Sequence, residues 1–483
     1  MKKKNILMIM PDQLRADYLG CYGAEFAHTP NIDNLSKEGM QYASAISPSP
    51  LCVPARASML TGRNAVCNGV LENSSWLHPD HEAYGVKTWP KHLSEVGYHT
   101  VGIGKMHFYP WDIMEGFDHR IIAEDKRHTL VQDDYAKYLG TKGLKKYAGI
   151  EYPEYTESKG AMVSPFAAED EADHWITQQA VDYIGGDKGE KPFAMMVGLV
   201  SPHCPYDPLK ESLEAIQGET MPDLIGETKD SQEFLDIFHA SYRGDWCKLD
   251  YEDATTEQWK KIQRHYSALV HQVDECVGRI IQALKDKGIY DDTIIIFTSD
   301  HGDMVGDYHL LGKHYFYESS IHVPMIVRNP DISIEQAGMV RNEVVSLTDI
   351  YSTMLHIAGV KEAETRDSKV LSCMKEQIDE QERFVFGATD LGFMVRSDRW
   401  KYCKYQTGSC HLYDVVNDSK EQRNLVDDPE YSMLAKKLDG ELMIQLMDSI
   451  LYGNRDKKVD FADREGVAFH ERGWKRTYPN ITA

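Results

Sequence analysis

No apolar run in this sequence is long enough to cross a bilayer, so no membrane span is expected. Basic residues are the minority, with 53 Lys and Arg against 76 Asp and Glu and a net charge of −23. Such a chain is repelled by nucleic acid and by anionic lipid surfaces, and neither is expected as a partner. An anionic substrate would need a locally cationic pocket. Cysteine pairs at metal-ligand spacing are also missing. The nine cysteines are scattered and odd in number, which argues for reduced thiols over a disulfide framework. Internal repeats and low-complexity tracts are absent. The opening "MKKKNILMIM" resembles the start of a signal peptide, but its apolar run meets Pro11 and Asp12 at once. That is short of the ~7–15 apolar residues such a segment needs, and no small-residue cleavage site follows. It reads as a first strand, and a cytoplasmic location is expected.

What remains is a chain of 483 residues, 42% of them hydrophobic, enough for one large domain and a smaller one. Continuous apolar runs, "NILMIM", "TVGIG", "FAMMVGLV" and "TIIIFTSD", suit strands of a parallel sheet covered on both faces. Between Glu257 and Gly288, Ile262, Tyr266, Leu269, Val273, Val277, Ile280 and Leu284 recur at helical spacing, and Gly288 supplies a stop. Alternating helices and buried strands predict an α/β fold with a large, mostly parallel central sheet sandwiched by helices. Past Gly359 the texture changes. "KEAETRDSKVLSCMKEQIDEQE" reads as a linker or exposed segment, and "RFVFGAT", "GFMVRSDRWKYCKY" and "CHLYDVV" as strands of a small antiparallel sheet. A helix from about Pro429 to Leu451 follows. The expected division is residues 1–365 for the catalytic α/β domain and 366–483 for an α+β subdomain.

In open parallel sheets, ligands bind beyond the carboxyl ends of the strands. Here those ends deliver Asp12 and Gln13, Lys105 and His107, His203, and Asp300 and His301. Asp12 and Gln13 offer oxygen to a hard cation, although an aspartate at a strand end also commonly caps the next helix. Carboxylates from two distant strand ends would repel unless a cation lay between them. Asp12, Gln13, Asp300 and His301 therefore make a plausible divalent site, its imidazole unusual for calcium and compatible with manganese or magnesium. Read singly, His301 is equally a hydrogen-bonded loop histidine, His203 a structural ring among prolines, and Cys52 a small buried hydrophobe.

The string "LCVPARASMLTGR", Leu51 to Arg63, is far more specific. It resembles the signature of the formylglycine-dependent sulfatases, a family of the alkaline phosphatase superfamily. "MPDQLRADYLG", "GIGKMHF", "SPHCPYDP", "TSDHGDMVGDYHLLGKH" and "HLYDVVNDSKEQRNL" are similar to that family's other motifs, in the same order, so the resemblance covers nearly the whole chain.

The resemblance implies that Cys52 is converted by a maturating enzyme to Cα-formylglycine, whose hydrate is the nucleophile. It implies Asp12, Gln13, Asp300, His301 and residue 52 as ligands of one divalent cation, calcium first, with manganese or magnesium open. It implies Arg56 contacting the formylglycine, Lys105 and Lys313 gripping sulfate, and His107 and His203 as base and acid. The function so implied is hydrolysis of a small organic sulfate, such as a sulfated sugar, an aryl sulfate or choline sulfate. Gln13 and His301 also occur in a neighbouring branch that includes phosphonate monoester hydrolases, so phosphonate monoester or phosphodiester hydrolysis is the alternative. The Lys105–His107 pair argues against it.

Overall fold

A computed structural model describes residues 3–454 except 187, 188, 190, 334, 362, 363 and 376–381. Among the described residues, nine strands form one sheet: β1 (Asn5–Asp12), β2 (Met40–Ile46), β3 (His99–Gly104), β4 (His119–Ile122), β5 (Phe193–Pro202), β6 (Thr293–Thr298), β7 (His322–Val323), β8 (Met325–Arg328) and β9 (Met339–Ser346). Their order is β4-β3-β5-β1-β6-β8-β2-β7, with β9 also paired to β2. From β4 to β6 every pairing is parallel, while β8 runs antiparallel to β6 and to β2. The expected mostly parallel sheet is what forms.

The sequence explains why both faces are covered. Along β1, Leu7 and Ile9 enter one apolar cluster, and Ile6, Met8 and Met10 enter another on the opposite face. This is the two-residue alternation of a strand with no solvent side. The first cluster is closed by the helix Thr256–Asp286, which carries the periodic residues expected of it. Thr255 and Gln258 cap its start reciprocally, and Gly288, at φ +71°, turns the chain out of it. The helices Trp89–Glu95 and Asp349–Ile357 pack on the other cluster.

Four further strands, β10 (Val385–Ala388), β11 (Gly392–Arg396), β12 (Trp400–Tyr405) and β13 (Cys410–Asp414), form an antiparallel meander. The helix Ser432–Gly453 covers it through Leu438 and Leu442. The charged stretch after Gly359 is exposed at Lys361, Glu364, Arg366 and Lys369, as expected of a linker or exposed segment, but is not exposed throughout; residues 362, 363 and 376–381 of it lie outside the described residues. Ser368, Leu371 and Cys373 are buried, with Leu371 N donating to Thr353 Oγ1 and Cys373 N to the Tyr42 hydroxyl. The few apolar side chains in this charged stretch are the ones that anchor it. No helix among the described residues is long and apolar enough to cross a membrane.

Candidate active site

The site assembles at the carboxyl edge of the parallel strands. Cys52 opens the helix Cys52–Thr61, whose ten residues are all buried. Pro54 sits in its first turn, where the missing N–H has no carbonyl to serve. Cys52 and Arg56 stand four residues apart and so share a face. The Arg56 side chain is fully buried between two carboxylates: Nε donates to Asp300 Oδ2 at 2.8 Å and Nη2 to Asp12 Oδ2 at 3.0 Å. Its Nη1 donates to the Lys105 carbonyl at 2.7 Å. The helix beginning at Cys52 is thereby tied to β1, β3 and β6 at once.

Lys105 is placed by two glycines. A side chain on Gly104 would meet the Gly198 carbonyl at 2.2 Å, and one on Gly198 would meet the Lys105 carbonyl at 2.0 Å. The bare backbones of β3 and β5 can thus approach closely, and Lys105 N donates to Gly198 O at 2.8 Å. The buried ammonium of Lys105 lies 3.0 Å from Asp12 Oδ2 and 3.1 Å from Asp125 Oδ2. Asp125 in turn holds Arg127 through both oxygens, at 3.0 and 2.9 Å. A row of alternating charges, Asp300, Arg56, Asp12, Lys105, Asp125 and Arg127, therefore runs beneath the site.

Around the Cys52 sulfur stand Lys313 Nζ at 3.1 Å, His301 Nε2 at 3.2 Å and Asp12 Oδ1 at 3.6 Å. Burial alone would raise the thiol. Lys313, His301 and Lys105, with a hydrogen bond from His107, outweigh burial and hold it well below its usual range. Burial and the Cys52 charge push the Asp12 carboxyl up, but Lys105, His203 and Arg56 bring it below the ordinary value. Asp300 is raised, first by burial and then by Asp12.

The histidine tautomers follow from their partners. His203 Nδ1 lies 2.7 Å from the Cys204 carbonyl, which can only accept, so this nitrogen carries the proton. Its Nε2 then accepts from Lys313 Nζ at 2.7 Å, with Arg127 Nη2 at 3.4 Å. Burial and the neighbouring Lys313, Lys105 and Arg127 charges depress its pKa to about 3, so the ring is neutral. His301 Nδ1 likewise donates to Gly302 O at 2.9 Å, which aims Nε2 at Cys52 and the carboxylates; burial would lower its pKa, but Asp300 and Cys52 raise it above the ordinary value.

This geometry fits a cation. Ligand atoms of Asp12, Cys52, Asp300 and His301 all lie within 4.8 Å of one another. An imidazole pinned through its other nitrogen to a backbone carbonyl is the usual posture of a metal-ligating histidine. Gln13 joins the cluster differently: its backbone N donates to Asp300 Oδ1 at 3.0 Å, and its side-chain oxygen accepts from Lys313 at 2.5 Å. Its side-chain nitrogen donates to Asp303. Its φ of +73° bends the chain sharply after Asp12.

His107 lies beside Cys52 on the same edge. Its backbone N donates to Glu124, its ring stacks on Trp111, and its buried Nδ1 has no hydrogen-bond partner. All the residues singled out in the sequence thus converge. Asp125, Arg127 and Asp303 were not singled out. Asp125 and Arg127 follow β4, so the strand-end rule covers them, but "HRII" is too short and polar to stand out as a buried strand. Asp303, within "TSDHGD", receives Gln13, Tyr206 OH at 2.8 Å and Gly312 N at 2.8 Å, which binds the Lys313 loop to β1.

Carboxylates and cations gathered around one nucleophile at the edge of such a sheet are the equipment of a hydrolase acting on an anionic ester. The family model described as Sulfatase matches residues 4–360, most of the chain, so the protein belongs to the sulfatase family and is a sulfuric ester hydrolase. A second model, N-sulphoglucosamine sulphohydrolase, C-terminal, matches residues 306–448. The chain is 29% identical to an arylsulfatase of Clostridium perfringens over 91% of its own length and 95% of the relative's. It is 28% identical to a choline-sulfatase of Rhizobium meliloti, over 88% and 83% respectively. The phosphonate monoester hydrolase of Agrobacterium radiobacter shares the fold, with a TM-score of 0.77 at 22% identity, over 92% of this chain and 96% of that one.

Proposed function

We propose that the enzyme hydrolyses small organic sulfate esters through a formylglycine made from Cys52 by a separate maturating enzyme. The observation that carries this reading is the convergence of Lys313, His301, His107 and the Asp12–Arg56–Asp300 cluster on a single buried sulfur. The Cys52 side chain stands in for the hydrated aldehyde, which has two hydroxyls on one carbon. One hydroxyl releases its proton to solvent and its oxygen attacks sulfur, while the S–O bond to the leaving alcohol breaks. The other hydroxyl then loses its proton, the C=O bond re-forms, and the C–O bond to sulfate breaks, so inorganic sulfate leaves without water attacking sulfur. Water restores the hydrate. This divides one difficult displacement into two easier steps.

His107, within hydrogen-bonding reach of residue 52, is the base for the second step. His203 already accepts from Lys313, so the proton for the leaving oxygen comes from the Lys313–His203 pair rather than from a standing imidazolium. Lys105 and Lys313 supply positive charge to the sulfate, and Arg56 fixes the pose of residue 52. Asp12, Asp300, His301 and residue 52, with Gln13 alongside, would hold one divalent cation, calcium in our assignment, with manganese or magnesium as the alternatives. When bound, it supplies positive charge beside an anionic ester that an anionic nucleophile must approach. The scattered cysteines, read as reduced thiols, favour a cytoplasmic location.

The test has two parts. The peptide containing Cys52, isolated from the native host, should have the mass of the aldehyde rather than the thiol. The matured enzyme should then cleave small sulfate esters in preference to matching phosphodiesters and phosphonate monoesters. An unmodified peptide in active enzyme would overturn the nucleophile. Preference for the phosphorus substrates would overturn the substrate class.

A further inference from the structure

The imidazole assigned to the second step is carried on an unusual backbone. His107 has φ +59°, in the left-handed region that a β-carbon disfavours. Such a conformation persists where the surroundings fix it. What meets this backbone is the carboxylate of Glu124. Its Oε1 accepts from Met106 N at 3.4 Å and from His107 N at 3.1 Å, and its Oε2 accepts from His107 N at 3.1 Å. Two successive N–H groups thus converge on one carboxylate, the way a concave turn of backbone holds an anion.

The sheet explains the placement. β3 and β4 run parallel with Gly104 opposite Ile122, so residues 106 and 124 each lie two places past that pair. Glu124 is 1% exposed, and its own N donates to Asp133 Oδ2 at 2.8 Å. Arg120, four residues earlier on β4, brings Nη2 to 3.7 Å from Glu124 Oε1, and both side chains are buried. The same guanidinium lies over the Phe108 ring at 4.6 Å and donates from Nη1 to the carbonyls of Trp111, at 3.0 Å, and of Ile113. Trp111 stacks on the His107 ring. Glu124 therefore holds His107 by its N–H, and Arg120 holds the indole that lies on its ring. Lys105, two residues before His107, has separate anchors: its N–H bonds Gly198 O, and its ammonium pairs with Asp12 and Asp125.

We propose, on the reading of His107 as base given above, that Glu124 backed by Arg120 is the positioning residue of the second step, holding His107 in the left-handed turn that aims its imidazole at residue 52. In that step the imidazole takes the proton of the free hydroxyl of the sulfated hydrate, the C=O bond re-forms, and the C–O bond to sulfate breaks with its electron pair leaving on sulfate. Without Glu124, two buried N–H groups lose their partner, the turn relaxes, and the imidazole no longer meets that hydroxyl. The earlier attack on sulfur does not use His107 and is left intact.

The test compares matured wild type with Glu124→Ala, Glu124→Gln and His107→Ala on 4-nitrophenyl sulfate. In Glu124→Ala, steady-state kcat should fall about 100-fold, the order expected when a catalytic group is misplaced by about 1 Å. About one equivalent of 4-nitrophenol per site should still appear in a burst at about the wild-type kcat or faster, and the quenched peptide containing residue 52 should carry the mass of a bound sulfate group. The inhibition constant of inorganic sulfate should stay within about twofold, because Lys105 keeps its anchors. Glu124→Gln keeps an oxygen for the two N–H groups and should recover at least about tenfold of the loss. A residue that served folding alone would lower the Tm with no burst and no sulfated peptide; that result overturns the proposal, as does a loss of sulfate inhibition in parallel with kcat. If the alanine variant does not fold, the glutamine variant decides: a kcat about 3- to 10-fold below wild type with the burst supports the proposal, and wild-type kcat without it overturns the proposal. His107→Ala separates the two levels. A burst there with none in Glu124→Ala keeps His107 as base and removes Glu124. No burst in His107→Ala removes the base, and the role of Glu124 with it.

Discussion

Replacing Arg56 by methionine should destabilise the protein most when no divalent cation is available. The guanidinium is wholly buried and pairs with Asp12 and Asp300 at 3.0 and 2.8 Å. Asp12 would keep Lys105 at 3.0 Å. Asp300 would keep the N–H groups of Gln13 and His301, each at 3.0 Å, and the His301 ring at 3.8 Å. Removing one partner of a buried pair costs about 3–5 kcal/mol. Asp300 can escape part of that by taking up a proton, since burial and Asp12 already raise its pKa. The lower end, about 3 kcal/mol, is therefore expected. For a chain of 483 residues, an unfolding entropy of roughly 2 cal/mol/K per residue converts this to a fall in Tm of about 3 °C. Scanning calorimetry of wild type and Arg56→Met in chelator should show that difference. Added calcium should narrow it, because a cation between the carboxylates replaces the lost counter-charge. A gap below about 1 °C in chelator, or one that calcium leaves untouched, would refute the assignment of Arg56 as the counter-charge of this pair.

Three further outcomes are expected. Cys52→Ala should fold with wild-type circular dichroism and show no sulfatase turnover, and Cys52→Ser should be badly impaired because one hydroxyl cannot expel sulfate by collapse; near-normal rates in either would end the formylglycine mechanism. Wild type should prefer its best small sulfate ester over the matching phosphodiester by at least about a hundredfold in kcat/KM, or ~2.7 kcal/mol, and Lys105→Ala should erode that ratio as well as the rate. His265, 6% exposed, has its pKa depressed to about 4, first by burial and then by the Lys261 and Arg264 charges, against a bond to Lys261 O that raises it. A ring kept neutral in the fold contributes full stability above pH 6.5, and this is lost as pH falls toward 4, by about 3 kcal/mol. Urea denaturation across that window should show a shallower loss in His265→Gln, and parallel curves would contradict the burial argument.

The parts of the fold legible in the sequence were those with an uninterrupted physical signal. β1, β3, β5 and β6 are buried on both faces and so read as unbroken apolar runs, and each deposits its functional residue just where pairing ends. β2 and β9, rich in polar residues, and the two-residue β7 carry no such signal, because sheet neighbours supply the stability their composition does not. Asp125 and Arg127 were missed for the same reason, following a strand of four residues. The segment from Ser368 to Cys373 misled by the average composition of the charged stretch around it, since four buried residues, Ser368, Val370, Leu371 and Cys373, decide its path.

The wholly buried helix that begins at Cys52 also sets an order of events. Cys52 is 1% exposed, and the nine residues after it are buried against the sheet and its neighbours. An enzyme that remodels a cysteine must draw the surrounding peptide into its own cleft, and here that peptide is released only by taking the centre of the molecule apart. On the proposed mechanism, maturation would therefore be a race, in which the newly made chain must be modified before its first, third and sixth strands close over the motif. A cell that made the chain faster than it could modify it would then accumulate folded protein that still carries the thiol and that later exposure to a maturating enzyme would not rescue.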